Sequence, residues 1–98
     1  MKEKIMILNA MKYTKENKLK GRVGFIILKP SASDNYLGYS DLACYYDVNE
    51  DFINKFPKEL FLEPVMATFE EKPGFGTSLN TRKILKSVEF KGNVISLL

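Results

Sequence analysis

Apolar and polar positions alternate with a two-residue period in several stretches of this chain, the signature of half-buried strands. From Ile5 to Tyr13, β-formers fall on both parities, which predicts a strand buried on at least one face. The polar segment TKENKLKG, ending at Gly21, has the composition and length of a loop that closes a long hairpin. Arg22 to Lys29 reads as a second strand with an apolar run from Phe25 to Leu28. Gly24 inside it predicts a bulge or a sharp coil. Pro30 to Ser40 clusters Pro, Ser, Asp, Asn and Gly and reads as a loop. In a third strand, Asp41 to Val48, the residues Leu42, Cys44, Tyr46 and Val48 share the expected core face. Ala43, Tyr45 and Asp47 fall on the other.

The period changes after Asp47. Phe52, Phe56 and Leu60 recur at i, i+4 and i+8, the apolar stripe of a helix docked on a core. Asp47 or Asn49 can cap it, with Glu50 and Asp51 favourable in its first turn. Pro57 limits it to a short helix and a further turn. Alternation returns in a fourth strand, Val65 to Glu71, with Val65, Ala67 and Phe69 inward. A glycine-containing hairpin, KPGFGTSLN, leads into a fifth strand, Thr81 to Phe90, with Ile84, Val88 and Phe90 on one face. After a turn at Lys91–Asn93 the tail VISLL can pair as a last short strand. The order β-β-β-α-β-β over residues 1–98 predicts one mainly β domain. The expected architecture is an OB-fold-like five-stranded antiparallel barrel with a short helix between strands 3 and 4. An SH3-like barrel or a split α+β sheet would produce a similar string.

Composition narrows the chemistry. Hydrophobic residues at 45% and charged residues at 28% are those of a soluble globular chain. No apolar run approaches the length of a membrane span, and the N-terminus lacks the apolar core and cleavage site of a signal peptide. The single cysteine, Cys44, can form no internal disulfide, which fits a reducing cytoplasm, and it falls on the inward face of its strand. The absence of histidine removes Ser/His and Cys/His catalysis and the usual zinc sites. The Gly-Phe-Gly at 74–76 lacks the third glycine of a dinucleotide fingerprint, since Leu79 stands there, and no helix follows. No phosphate-binding Gly-Lys-Ser/Thr occurs, so no cofactor is expected. Glu89-Phe90-Lys91 is the acid-x-Lys tripeptide that metal-dependent nucleases pair with an upstream aspartate. Such tripeptides are common by chance, and the chain is read as a non-enzyme.

The net charge of +3 conceals a strong asymmetry. Residues 12–29 carry six cations (Lys12, Lys15, Lys18, Lys20, Arg22, Lys29) against Glu16. Residues 72–91 carry five (Lys72, Arg82, Lys83, Lys86, Lys91) against Glu89. Residues 41–71 hold two cations and eight carboxylates. On an OB plan the two basic segments contain the loops that flank an oligonucleotide groove, and the acidic segment is expected to lie away from it. Four aromatics have no evident core position: Tyr36, Tyr39, Tyr45 and Phe75, the last between Gly74 and Gly76 beside the basic strand. Exposed aromatics next to cations suit base stacking with phosphate neutralisation. A tyrosine is equally at home half-buried, and a charge run is usually a solvated face.

With the strand PVMATFEE, the hairpin KPGFGTSLN and the basic strand TRKILKSVEF in place, the chain resembles the small single-stranded-DNA-binding proteins of phages. The likeness is one of size and strand order over most of the length, without a shared diagnostic motif. It implies a homodimeric OB-type barrel that coats single strands during DNA replication, in a bacterial or phage-infected cytoplasm. Its functional aromatics and cations would correspond to Tyr36, Tyr45, Phe75, Arg82 and Lys83; the helix expected between strands 3 and 4 is larger than that family usually has, a departure that bears on the dimer arrangement. The residues themselves point to a single-stranded nucleic-acid binder of low sequence specificity. Lys18, Lys20, Arg22, Lys72, Arg82, Lys83 and Lys86 would neutralise phosphates, and Tyr36, Tyr39, Tyr45 and Phe75 would stack bases. The rival expectation is a protein-interaction module, such as a phage-encoded inhibitor or accessory factor, that meets a host protein through the acidic segment or a sheet edge.

Overall fold

The computed structural model of the protein describes residues 2–73 and 81–98. Eight strands form: β1 (Lys2–Lys15), β2 (Lys18–Ile27), β3 (Ser31–Ser33), β4 (Tyr36–Gly38), β5 (Asp41–Asp47), β6 (Val65–Pro73), β7 (Thr81–Phe90) and β8 (Asn93–Ser96). The five expected strands correspond to β1, β2, β5, β6 and β7. Six strands make one antiparallel sheet in the order β5-β2-β1-β6-β7-β8, and β3 and β4 pair separately. The protein is therefore mainly β, but its large sheet is open rather than a closed barrel.

The first hairpin departs from the sequence expectation. TKENKLKG is not a loop: β1 and β2 stay paired from Ile5–Ile27 to Lys15–Lys18. Only Glu16 and Asn17 turn, both at positive φ (53° and 64°). Two successive left-handed residues are what a two-residue type I′ hairpin requires, and its twist matches that of the strands it joins. The loop-like composition of 14–21 therefore lies on ladder positions, where the polar side chains face water. Residues 30–40 are likewise not only loop, since they contain the β3–β4 hairpin.

The expected short helix is replaced by two 3-10 turns, Phe52–Lys55 and Lys58–Leu60. Pro57 lies between them in extended geometry (φ −64°, ψ 143°), and a proline there cannot carry a helix through. The apolar stripe is nevertheless used. Phe52, Phe56 and Leu60 are all buried, delivered by two separate turns. They form a plug over one end of the core, with Phe52 and Phe56 edge to face at 5.3 Å between centroids. Gly21 makes room for it, because a Cβ there would stand 2.7 Å from Val48 and 2.8 Å from Phe52. The plug is tied at both ends: the Val48 N–H reaches the Leu19 carbonyl and the Leu62 N–H reaches the Ile7 carbonyl at 3.0 Å.

The inner face of the sheet follows the alternation closely. Ile5 and Ile7 on β1, Val23 and Phe25 on β2, Cys44 and Tyr46 on β5, and Val65, Ala67 and Phe69 on β6 all join one buried cluster. Bulges break the parity twice. One falls at Leu8 of β1, between the pairs Ile7–Phe25 and Asn9–Gly24. The other falls at Lys86 of β7, between Leu85 and Ser87, so the expected set Ile84, Val88 and Phe90 misses the fully buried Leu85.

The sheet curls far enough to bring β5 beside β7. β8 pairs only with residues 87–90, so the earlier part of β7 has no strand on that side among the described residues. There the Tyr46 hydroxyl donates to the Leu85 carbonyl at 2.5 Å, and Cys44 Sγ lies 3.9 Å from the Lys83 carbonyl. Burial, with Cys44 next to it, pushes the Tyr46 phenol well above the ordinary tyrosine range, so it stays a donor. Side chains bridge this seam where backbone pairing is absent.

Candidate nucleic-acid interface

Because side chains alternate across a strand, the outer face of β1, β2 and β5 is fixed by the same register that fills the core. Three rows cross it: Tyr13, Lys20 and Asp47; Met11, Arg22 and Tyr45; and Asn9, Gly24 and Ala43. The middle row is the candidate site. Tyr45 is 61% exposed, and Arg22 stands opposite it on the neighbouring strand.

Arg22 is held in place rather than left to swing. Its Nη1 donates to Asn9 Oδ1 at 3.1 Å. Both groups lie over Gly24, where a Cβ would meet Asn9 Oδ1 at 2.8 Å and Arg22 Nη1 at 3.2 Å. The bulge or sharp coil that Gly24 predicts has its counterpart in a register shift beside it, with the extra residue, Leu8, on the facing strand, and the glycine provides the floor on which the guanidinium and amide meet. One bond to Asn9, on the β1 side, leaves most of the five guanidinium N–H donors available on the face that also displays Tyr45. A planar cation and an exposed ring on one face are suited to a phosphate and a base.

The other expected residues fall in several places. Lys20 is on the same outer face but is engaged by Asp47, its register partner. That hydrogen bond raises the Lys20 pKa and lowers that of Asp47. Lys12 binds Glu50 at 3.1 Å and also the Glu50 carbonyl. The acidic segment therefore does not lie away from the basic one: β5 pairs with β2, and Asp47 and Glu50 of the acidic segment occupy Lys20, an expected phosphate-binding residue, and Lys12 of the same basic segment. Lys18 is exposed beside the tight turn.

Tyr36 and Tyr39 are exposed on and after the β3–β4 hairpin, which pairs apart from the sheet that carries Arg22. Ser40 Oγ donates to the Tyr36 hydroxyl at 3.3 Å. On β6 and β7, Lys72 pairs with Arg82 in the ladder and Lys83 with Glu71, while Lys83 and Lys86 are exposed. Phe75 lies outside the described residues.

The two basic segments meet at β5. It is hydrogen-bonded to β2 along one edge and joined to β7, at Lys83 and Leu85, through Cys44 and Tyr46 along the other. The strand that displays Tyr45 thus has Arg22 on one side and the basic strand β7 on the other. Sequence reasoning missed Asn9, a polar residue on the outward parity of an otherwise apolar stretch.

Glu89 pairs with Lys2 at 3.3 Å and, with Glu59 and Glu63, borders a cleft of about 490 Å³. Among the described residues no three His, Cys, Asp or Glu side chains are grouped to hold a metal ion. No helix among them is long and apolar enough to cross a membrane. The chain matches no family model, no curated protein and no solved structure.

Proposed function

We propose that this protein binds single-stranded nucleic acid, DNA in the first instance, with low sequence specificity across the outer face of β2 and β5. The observation that carries this reading is the Arg22–Tyr45 pair, with the guanidinium fixed by Asn9 over Gly24. Strand order supports an OB-like plan. The run β5-β2-β1-β6-β7 is that of a small Greek-key barrel opened at one seam, and the seam edges are the ones that Tyr46 and Cys44 bridge. In that plan the face of the second and third strands takes the oligonucleotide, and here those strands carry Arg22 and Tyr45. Cation and ring divide the work: Arg22, with Lys83 and Lys86 beyond the seam, neutralises phosphates, while Tyr45 stacks a base. Dimerisation and a place in phage replication rest on the likeness to phage proteins.

Binding should weaken with salt at a log–log slope of about −0.7 per phosphate contacted. Titration of a labelled oligo(dT) and of a duplex of equal length, at several salt concentrations, tests this. Equal or tighter binding to the duplex counts against a stacking site, because Tyr45 needs an unpaired base.

A second reading has one specific observation in its favour. Leu37 is 85% exposed on the β3–β4 hairpin, Tyr36, Tyr39 and Leu42 of the same stretch of chain are exposed as well, and exposed apolar groups of this kind suit a protein partner. Under that reading Leu37→Asp abolishes partner capture while Arg22→Glu leaves it intact. The nucleic-acid reading expects Arg22→Glu to do the damage.

A further inference from the structure

β1 and β2 run on past the rest of the sheet. β6 pairs with β1 only from Lys2 to Ile5, and β5 follows β2 only as far as Lys20, so the far end of the hairpin stands as a two-stranded arm. The Leu8 bulge sets which side chains its outer surface carries. Counted from Ile5 and Ile7, two-residue alternation would turn Tyr13 toward the core. With one extra residue between Ile7 and Asn9, the residues Asn9, Met11, Tyr13 and Lys15 instead join the outward Gly24, Arg22, Lys20 and Lys18. The outer face therefore continues past the Met11–Arg22–Tyr45 row into two further rows, Tyr13–Lys20 and Lys15–Lys18.

We infer that this arm continues the single-strand site, with Tyr13 as a second base platform and Lys15 and Lys18 as phosphate contacts at its tip. The inference rests on the nucleic-acid reading of the Arg22–Tyr45 face and gives the bound strand a direction, along β2 toward the hairpin turn. On β2 the outward cations Arg22, Lys20 and Lys18 recur at every second residue, about 7 Å apart at strand spacing. A row of cations at that interval suits a phosphate backbone. Rings flank it on both sides, Tyr45 on β5 opposite Arg22 and the half-buried Tyr13 on β1 opposite Lys20. Lys15 and Lys18 are exposed and have no ion-pair partner among the described residues. Lys20 is held by Asp47 and adds a contact only when a phosphate displaces that carboxylate. Charge alone would also suit an anionic membrane. The tip, Lys15-Glu16-Asn17-Lys18, carries no apolar side chain to enter one, and the ring stands one row back, among the cations. From the Arg22 row to the tip row is about 14 Å along β2. A single strand covers that length with about four nucleotides if stacked and fewer if extended.

The test follows the ring protons of Tyr13 and Tyr45 by NMR while the full chain is titrated with oligo(dT), with inorganic polyphosphate, and with vesicles of phosphatidylcholine and phosphatidylserine. Oligo(dT) should shift both rings upfield as bases stack on them, and polyphosphate should shift neither. Tyr13→Ala should weaken oligo(dT) binding about five- to 150-fold, one stacked base, with the salt slope kept. Tyr13→Leu retains an apolar side chain without an aromatic face, so it should lose as much affinity, while Tyr13→Phe should bind as the parent does. Lys15→Ala combined with Lys18→Ala should make the log–log slope shallower by about 1.4, two phosphate contacts, and Lys58→Ala on the second 3-10 turn should leave it unchanged. A Tyr13 ring that stays unmoved while Tyr45 shifts overturns the arm and leaves the Arg22–Tyr45 reading standing. Tyr13 shifting with Tyr45 unmoved confines the site to the arm and overturns that reading. No oligo(dT) binding and no shift in either ring overturns both. Polyphosphate that binds as tightly as oligo(dT), or vesicles that bind more tightly, also overturns the arm as a single-strand site.

Discussion

Tyr45 and Tyr46 are neighbours on β5, and they have opposite fates. Tyr46 is 6% exposed, packs against Phe52 at 6.3 Å between centroids, and donates its hydroxyl to the Leu85 carbonyl across the seam. Tyr45 is exposed opposite Arg22 and contributes no side-chain hydrogen bond among those described. The same side chain is a structural strut on one face and an unspent aromatic surface on the other. Strand alternation, not residue type, decides which. A large ring exposed to water adds little to stability, so the outer face is free to bind while the inner face holds the fold.

The largest effect should come from Tyr46→Ala, which removes a buried ring and the seam bond. It should cost about 3–5 kcal/mol of stability, the range for large aromatic truncations, seen as an earlier denaturation midpoint. Tyr45→Ala is the converse. Its stability should change by no more than about 0.5 kcal/mol, while oligo(dT) affinity should fall by about 1–3 kcal/mol, one stacked base. If both variants lose stability equally, the division between the faces is wrong. Asn9→Ala frees the Arg22 guanidinium without removing it, so affinity should drop severalfold, less than for Arg22→Ala, with the salt slope kept. Equal losses for the two would mean that Asn9 itself touches the ligand.

The smallest effect concerns the Lys20–Asp47 pair at the edge of the same face. Asp47 has a lowered pKa in the folded state, so its contribution is present above the ordinary value of 3.8 and is lost as pH falls through the folded value. Lys20 has a raised one, so its contribution is present below 10.5 and is lost as pH rises through the folded value. The pair therefore acts between those limits, and being on the surface it should matter little. Carboxyl NMR titration should place the Asp47 midpoint below 3.8 in the parent and move it upward in Lys20→Gln.

The inner face was legible because alternation is a strong signal where one side is buried. Val65, Ala67 and Phe69 point inward as their spacing requires, and Tyr45 points out because Cys44 and Tyr46 point in. What the sequence hid depends on tertiary register. Residues 14–21 have the composition of a loop because ladder positions facing water carry loop-like residues, and two left-handed residues suffice to turn the chain. The i, i+4, i+8 phenylalanine and leucine stripe located buried residues correctly yet named the wrong element, since Pro57 divides it. Charge counting separated the basic and acidic segments along the chain, but β5 pairs with β2 and brings Asp47 onto Lys20. Asn9 and Tyr13 acquire meaning only once the Leu8 bulge sets which side chains of β1 lie on the outer face.

The most direct test of the central claim is the salt dependence of oligo(dT) affinity for the parent chain and for Arg22→Ala. The account predicts measurable single-strand binding at low salt for the parent. In Arg22→Ala it predicts weaker binding and a log–log slope shallower by about 0.7, one phosphate contact. Loss of affinity with an unchanged slope, or no single-strand binding by the parent at low salt, would contradict it.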